Sequence, residues 1–170
     1  MKTDFIINKG EHYSKPRFSG LGLSINKSSM EAKVVFDRSC TVHSYSSWSK
    51  LFGFSVGSKH HKGSIRVAWR TIPTIFGNVI QLCLYAYTKS GKRYIGIPIC
   101  IDYKKEHTIK LSLKKGVAKL SINTEDGRLM EDDCYFGKTP SLYLSYLLRP
   151  YYGGLETAPN DMLITIEKLL

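Results

Sequence analysis

Ser64-Ile65-Arg66-Val67-Ala68-Trp69-Arg70 alternates strictly, with Ile65, Val67 and Trp69 on one side and Arg66, Ala68 and Arg70 on the other. A period of two belongs to a strand buried on one face only. Val79–Tyr87 repeats the pattern, dividing Ile80, Leu82, Leu84 and Ala86 from Gln81, Cys83, Tyr85 and Tyr87. Lys89-Ser90-Gly91-Lys92 reads as a hairpin turn into a strand from Arg93 to Ile101. Further strands are predicted at Phe18–Ile25, Ala32–Phe36, His107–Lys114, Val117–Asn123, Leu142–Arg149 and Leu163–Lys168, with turns at Lys114-Lys115-Gly116 and Glu125-Asp126-Gly127. No long stripe of helical period occurs, and only Ser46–Leu51 offers a single helical turn. Short, regularly spaced strands with turn residues between them predict one all-β domain over residues 1–170, a sandwich or barrel.

Charge narrows the partner before it narrows the chemistry. The 64 residues between Asp37 and Asp102 hold no Asp or Glu, although the whole chain has 14 acids and a net charge of +11. An unopposed basic segment concentrates anions around it. Hydrophobic content of 42% excludes a disordered chain. No apolar segment follows Met1, so no secretory signal is visible, and a cytoplasmic location is expected, with the virion as the alternative. No apolar run reaches the ~18 residues of a membrane span, so no membrane partner is expected. Cys40, Cys83, Cys100 and Cys134 lack any Cys-x-x-Cys spacing and read as reduced, mostly buried thiols.

Arg66 and Arg70 would project from the same sheet face, roughly 13 Å apart, with Ala68 as open floor between them. Paired guanidiniums over such a floor suit a carboxylate, sulfate or phosphate. The same residues would also serve as the solvated side of an ordinary strand. Gln81, Tyr85 and Tyr87 on the next strand add hydrogen-bonding and stacking groups, which favours a ligand floor. The loop Gly57–Gly63 brings His60 and Lys62 to the rim; adjacent histidines in an extended segment diverge and no carboxylate is near, so no metal is expected. Arg149-Pro150-Tyr151-Tyr152-Gly153-Gly154 ends a strand and opens a loop, offering Arg149, Tyr151 and Tyr152 to the rim, although packing under the loop is the commoner place for either tyrosine. Gly-x-Ser-x-Gly, His-Glu-x-x-His and phosphate-loop motifs are absent, and Glu131-Asp132-Asp133 reads as a solvated turn. No nucleic-acid-binding signature can be placed, which disfavours a nucleic-acid polymer as partner. No cofactor is implied.

The segments Lys50–Phe54, His60–Arg70 and Pro150–Asp161 resemble those of concanavalin A-like (lectin/glucanase-type) jelly rolls, in particular small versions found in Bacteroidetes and their phages. The resemblance implies an antiparallel two-sheet sandwich whose concave sheet holds the ligand. It also implies terminal strands lying side by side, Phe18–Ile25 with Leu163–Lys168. Within that fold, polyuronate lyases carry an Arg-x-Glu-x-Arg strand, a Gln-x-His strand and a late Tyr/Lys-rich strand. Arg66, Arg70 and Gln81 match the first two patterns, and Tyr143–Tyr151 lies where the third would come. Ala68 stands in place of the Glu and Cys83 in place of the catalytic His, so the resemblance implies an anion-binding floor without its usual base.

The leading expectation is therefore a non-catalytic protein that binds an anionic small molecule or acidic glycan through Arg66, Arg70, Gln81, Tyr85 and Tyr87. His60, Lys62, Arg149 and Tyr151 would form the rim. A phage-type sponge for a nucleotide immune signal fits the missing export signal. Two other classes stay open. One is an enzyme using Tyr85, Tyr143, Tyr151 or a histidine as base; the other is a virion or assembly protein, with homo-oligomers.

Overall fold

The computed structural model of the chain describes residues 2–16 and 23–169, the His60 side chain excepted. Fourteen strands form two antiparallel sheets of seven. In chain order they are β1 (Lys2–Ile7), β2 (Ser14–Lys15), β3 (Leu23–Ile25), β4 (Ser29–Phe36), β5 (Tyr45–Ser55), β6 (Ser64–Thr74) and β7 (Gly77–Tyr87). The second half supplies β8 (Arg93–Ile95), β9 (Ile99–Ile101), β10 (His107–Lys114), β11 (Val117–Asn123), β12 (Leu129–Tyr135), β13 (Leu144–Leu148) and β14 (Met162–Leu169). The back sheet runs β12-β11-β10-β4-β14-β1-β2. The front sheet runs β3-β13-β5-β6-β7-β8, with β9 following β8 along the same edge of β7. Among the described residues, no helix is long and apolar enough to cross a membrane.

The alternation sets which way each strand faces. Ile65, Val67 and Trp69 of β6 and Ile80, Leu82 and Leu84 of β7 are fully buried between the sheets. They meet Val34 and Phe36 of β4, Ile109 and Leu111 of β10, and Ile164 of β14 in one apolar core. Each such side chain contributes about 1.5–3 kcal/mol on leaving water. Trp69 is the centre of an aromatic group, 5.2 Å from Phe36 and 5.5 Å from Tyr45 between ring centroids. Tyr152 packs under its loop against Tyr45 at 4.8 Å.

Four local expectations are corrected. Ser46–Leu51 is no helical turn; it lies within β5, the front-sheet strand that pairs with both β6 and β13. Glu131-Asp132-Asp133 is likewise no solvated turn but the middle of β12, with Asp132 buried. Its carboxylate accepts from the Tyr94 hydroxyl at 3.1 Å and the Ile97 amide at 3.2 Å, so it ties the back-sheet edge to the front sheet. Arg93–Ile101 is not continuous, since β8 and β9 are separated by Gly96–Pro98. Finally, the strand beside the C-terminal β14 is β1, paired from Lys2–Glu167 to Ile7–Met162. Of Phe18–Ile25, residues 18–22 lie outside the described residues, and β3 joins the front sheet beside β13.

The two outer surfaces carry different electrostatics. On the back sheet and its loops, cations are paired with acids: Lys33–Glu106, Lys110–Glu31, Lys119–Glu131, Lys105–Asp102 and Arg128–Asp126. Among the described residues, no ion pair engages Lys50, Arg66, Arg70, Arg93 or Arg149 of the front sheet and its edge.

Candidate functional site

Antiparallel register stacks side chains into rows across the outer face of the front sheet. One row is Gly53–Arg66–Tyr85–Ile95, the next Lys50–Ala68–Cys83, and the third Arg70–Gln81–Cys100. Ala68, Cys83 and Tyr85 form a small apolar floor of their own, with Trp48 and Tyr87 packed against it. Gly53 is required in the first row, because a Cβ there would lie 2.1 Å from the Ile65 carbonyl oxygen and 2.7 Å from the Arg66 Cα. Bare backbone at Gly53 lets β5 and β6 close up beneath the Arg66 side chain.

The arginines on this floor differ. Arg70 is held: Nε donates to Gln81 Oε1 at 2.9 Å, and the guanidinium lies 4.4 Å over the Trp48 ring. Arg66 is half-buried, and its Nε and Nη2 have no hydrogen-bond partner among the described residues. The same holds for Nη1 of Arg149. Lys50 donates from Nζ to the Trp48 carbonyl at 2.7 Å and lies 4.3 Å over the Tyr85 ring. Its backbone exchanges hydrogen bonds with Tyr151 in both directions, at 2.8 Å each. This bridge brings the segment after β13 alongside β5.

A cleft of about 530 Å³ results, lined by Lys50 and Arg66 on one side and by the 146–151 segment, including Tyr146, Arg149 and Tyr151, on the other. His61, Tyr87 and Tyr13 complete it, and among the described residues no carboxylate lines it. Its aromatic rim is packed: His61 meets Tyr87 edge-on at 5.1 Å, while His12 stacks on Tyr151 at 5.5 Å.

Of the residues expected from the sequence, Arg66, Tyr87, Arg149 and Tyr151 come together in the cleft. Tyr85 lies in the floor under Lys50, with its hydroxyl 3.4 Å from that of Tyr87. Arg70 and Gln81 form their pair farther along the strands, outside the cleft lining. Lys62 is exposed on a short 3₁₀ turn and is not among the lining residues, and the His60 side chain lies outside the described residues. Tyr143, one of the candidate bases, packs against the core and donates its hydroxyl to the Lys27 carbonyl at 2.7 Å. Sequence reasoning missed Lys50, His61, Tyr146 and Trp48. Lys50-Leu51-Phe52-Gly53-Phe54 held a signal, a cation before paired aromatics around a glycine, but its alternation is broken.

Proton affinities separate the groups further. Burial, then the nearby Arg66 and Arg93 charges, pull the Lys50 ammonium down to about 8. Burial pushes the Cys83 thiol up to about 12, so it is no proton acceptor near neutrality. Burial likewise raises Tyr85 to about 12 and lifts Tyr151 above its ordinary value. The Arg66 guanidinium is lowered by burial, although an arginine remains charged at neutral pH. Among the described residues, no group of three or more His, Cys, Asp or Glu side chains is placed to hold a metal ion.

No family model and no curated protein matches the sequence. Solved structures do match in shape. The alginate lyase from Klebsiella pneumoniae superposes with a TM-score of 0.58 at 11% identity, covering 83% of this chain and 59% of the lyase. The fold is a concanavalin A-like jelly roll. A functionally unknown protein from Saccharomyces cerevisiae shares it, with a TM-score of 0.53 at 14% identity over 99% of this chain and 86% of the yeast protein. This jelly roll thus spans about three-fifths of the lyase's length, and at such identities the likeness concerns the fold.

Proposed function

We propose that the front-sheet cleft binds an acidic oligosaccharide, one bearing carboxylate or sulfate groups, without cleaving it. The observation that carries this reading is Arg66: a half-buried guanidinium with two nitrogens, Nε and Nη2, that have no partner among the described residues, in a cleft that no carboxylate of those residues lines. Both nitrogens are shut off from water in the unliganded fold, so a carboxylate or sulfate in the cleft would compensate the buried charge and would satisfy those donors once the guanidinium turns toward it. Tyr87, Tyr146 and Tyr151 around it offer flat apolar faces with hydroxyl tips, which suit sugar rings. The alginate lyase likeness supports the same ligand class at the level of the fold. Where the lyase pattern has Glu and His, the Lys50–Ala68–Cys83 row offers a methyl group and a buried thiol, which speaks against elimination through that pair.

Thermal unfolding tests the proposal, run with oligouronates, sulfated oligosaccharides, neutral oligosaccharides and nucleotides. At a hundredfold excess over Kd, a ligand of the folded state adds about 2.7 kcal/mol. For a chain of this size that is a rise of roughly 5–10 °C in Tm. The expected result is a rise with acidic oligosaccharides, absent with neutral ones and abolished in Arg66→Ala. A rise confined to nucleotides would reassign the cleft to phosphorylated ligands, and no rise with any anion would refute an anion site.

A further inference from the structure

The feature of the cleft that anion binding leaves unused is Lys50. Among the described residues its amine has no acidic partner. Within the same set of residues it donates to the Trp48 carbonyl at 2.7 Å, and no carboxylate of theirs lines the cleft. The charged and titratable groups whose fields act on it are Arg66 on β6, Arg93 on β8 and Cys83 on β7, and the Tyr85 ring lies directly beneath. A desolvated lysine beside other cations is the arrangement that turns an ammonium into a nucleophilic amine. Strand register adds the position. Lys50 shares a row with Ala68 and Cys83, and Arg66, with its unpartnered nitrogens, stands in the neighbouring row and lines the same cleft.

We infer that Lys50 is a covalent site, forming a reversible imine with carbonyl compounds that carry an acid group, such as an aldehydic or 2-oxo acid or the open-chain end of an acidic sugar. The acid group is held by Arg66 and Arg149, and the inference therefore rests on the anion-binding reading of the same cleft. In the step itself the neutral amine attacks the carbonyl carbon, forming the C–N bond, while the carbonyl electron pair moves to oxygen and takes up a proton. The nitrogen of the protonated carbinolamine gives up one N–H proton, the hydroxyl takes up a proton and leaves as water with the C–O bonding pair, and the nitrogen lone pair closes the C=N bond, leaving an iminium whose positive charge replaces that of the ammonium. Hydrolysis reverses the sequence, and no oxidant or reductant takes part. Lowering of the amine to about 8 supports the geometry by supplying the unprotonated form near neutral pH.

The test uses the intact chain, glyoxylate as an anionic aldehyde, acetaldehyde as a neutral one, and cyanoborohydride to trap the imine for peptide mass mapping. At pH 7 the neutral fraction of an amine titrating at about 8 exceeds that of an ordinary lysine by about two orders of magnitude. Lower basicity takes back part of that advantage, so labelling of Lys50 by glyoxylate is expected to exceed that of exposed lysines by about tenfold. It should rise toward a plateau above pH 8, fall when oxalate competes, and be several-fold weaker with acetaldehyde. Lys50→Arg should lose the adduct, with labelling of the exposed lysines unchanged. Labelling of Lys50 no greater than that of exposed lysines would overturn the inference, even with anion binding intact. Preferential labelling that is equal for both aldehydes and indifferent to oxalate would overturn the acid-bearing ligand class and, with it, the anion site.

Discussion

Replacing Arg66 with methionine should make the unliganded protein more stable while destroying its anion site. The guanidinium is half-buried, its Nε and Nη2 have no partner among the described residues, and Lys50 is a neighbouring cation. A fully buried donor left unsatisfied costs about 1–3 kcal/mol. Both nitrogens are shut off from water although the side chain as a whole is only half-buried, and together they are taken as costing about 1–2 kcal/mol. Methionine keeps most of the aliphatic stem against Gly53 and Tyr85 and introduces no polar atom that needs a partner. The expected gain is thus about 1–2 kcal/mol, read as a rise of roughly 2–8 °C in Tm and a higher urea midpoint at unchanged m-value. The same variant should show no stabilisation by oligouronates. A loss of more than about 1 kcal/mol would refute the reasoning, because it would make the Arg66 cation part of what holds β5, β6 and β7 together.

Lys50 should give a pH signature. Its folded-state value of about 8 lies below the ordinary 10.5, so the unfolded chain binds more protons between them and stability rises with pH across that window, by at most about 3 kcal/mol. The thiols raised to about 11–12 act in the opposite sense above about pH 9, so the limb shows best between pH 8 and 9, as a wild-type rise missing from Lys50→Met in urea titrations. Gly53→Ala should cost about 2–4 kcal/mol, since its Cβ would meet backbone atoms that cannot swing away; an unchanged urea midpoint would show that β5 and β6 can separate freely. Asp132→Ala should cost about 1–3 kcal/mol and speed amide exchange at Ile97, whose N–H loses its acceptor; unchanged exchange would deny the tie between the sheets.

The parts of the fold legible in the sequence are those whose inward and outward positions keep phase from end to end. In β6 and β7, Ile65, Val67 and Trp69 or Ile80, Leu82 and Leu84 fall on one parity, and all six lie in the core between the sheets, whereas Ala68, Cys83 and Tyr85 of the other parity form the separate outer floor. That same phase assigned Arg66 and Arg70 to the outer face. β10 and β11 have the bounds their alternation predicts. β5 was hidden because two register shifts against β6 interrupt its phase, the second leaving Leu51 without a partner. Lys50, Phe52 and Phe54 share one parity in the sequence, yet Lys50 faces outward while the two phenylalanines are in the core. β12 was hidden differently: three consecutive acids suggest water, but Asp132 turns inward to acceptor duty at the sandwich edge. Bringing Arg149 and Tyr151 beside Lys50 depends on a backbone bridge across 100 residues of sequence, which no local pattern announces.

The unpaired residue in β5 also governs how this cleft would be traced in other proteins. On an uninterrupted strand the same arrangement would be spelled Lys-Phe-Gly-Phe, one letter shorter than the Lys50-Leu51-Phe52-Gly53-Phe54 of this chain. A gapless alignment of two such chains would set the lysine of one against a neighbour of the lysine in the other and report it as replaced. Homologous sites are therefore better sought with a gap of one allowed directly before the first aromatic, and by matching the Arg66 strand across the ladder first.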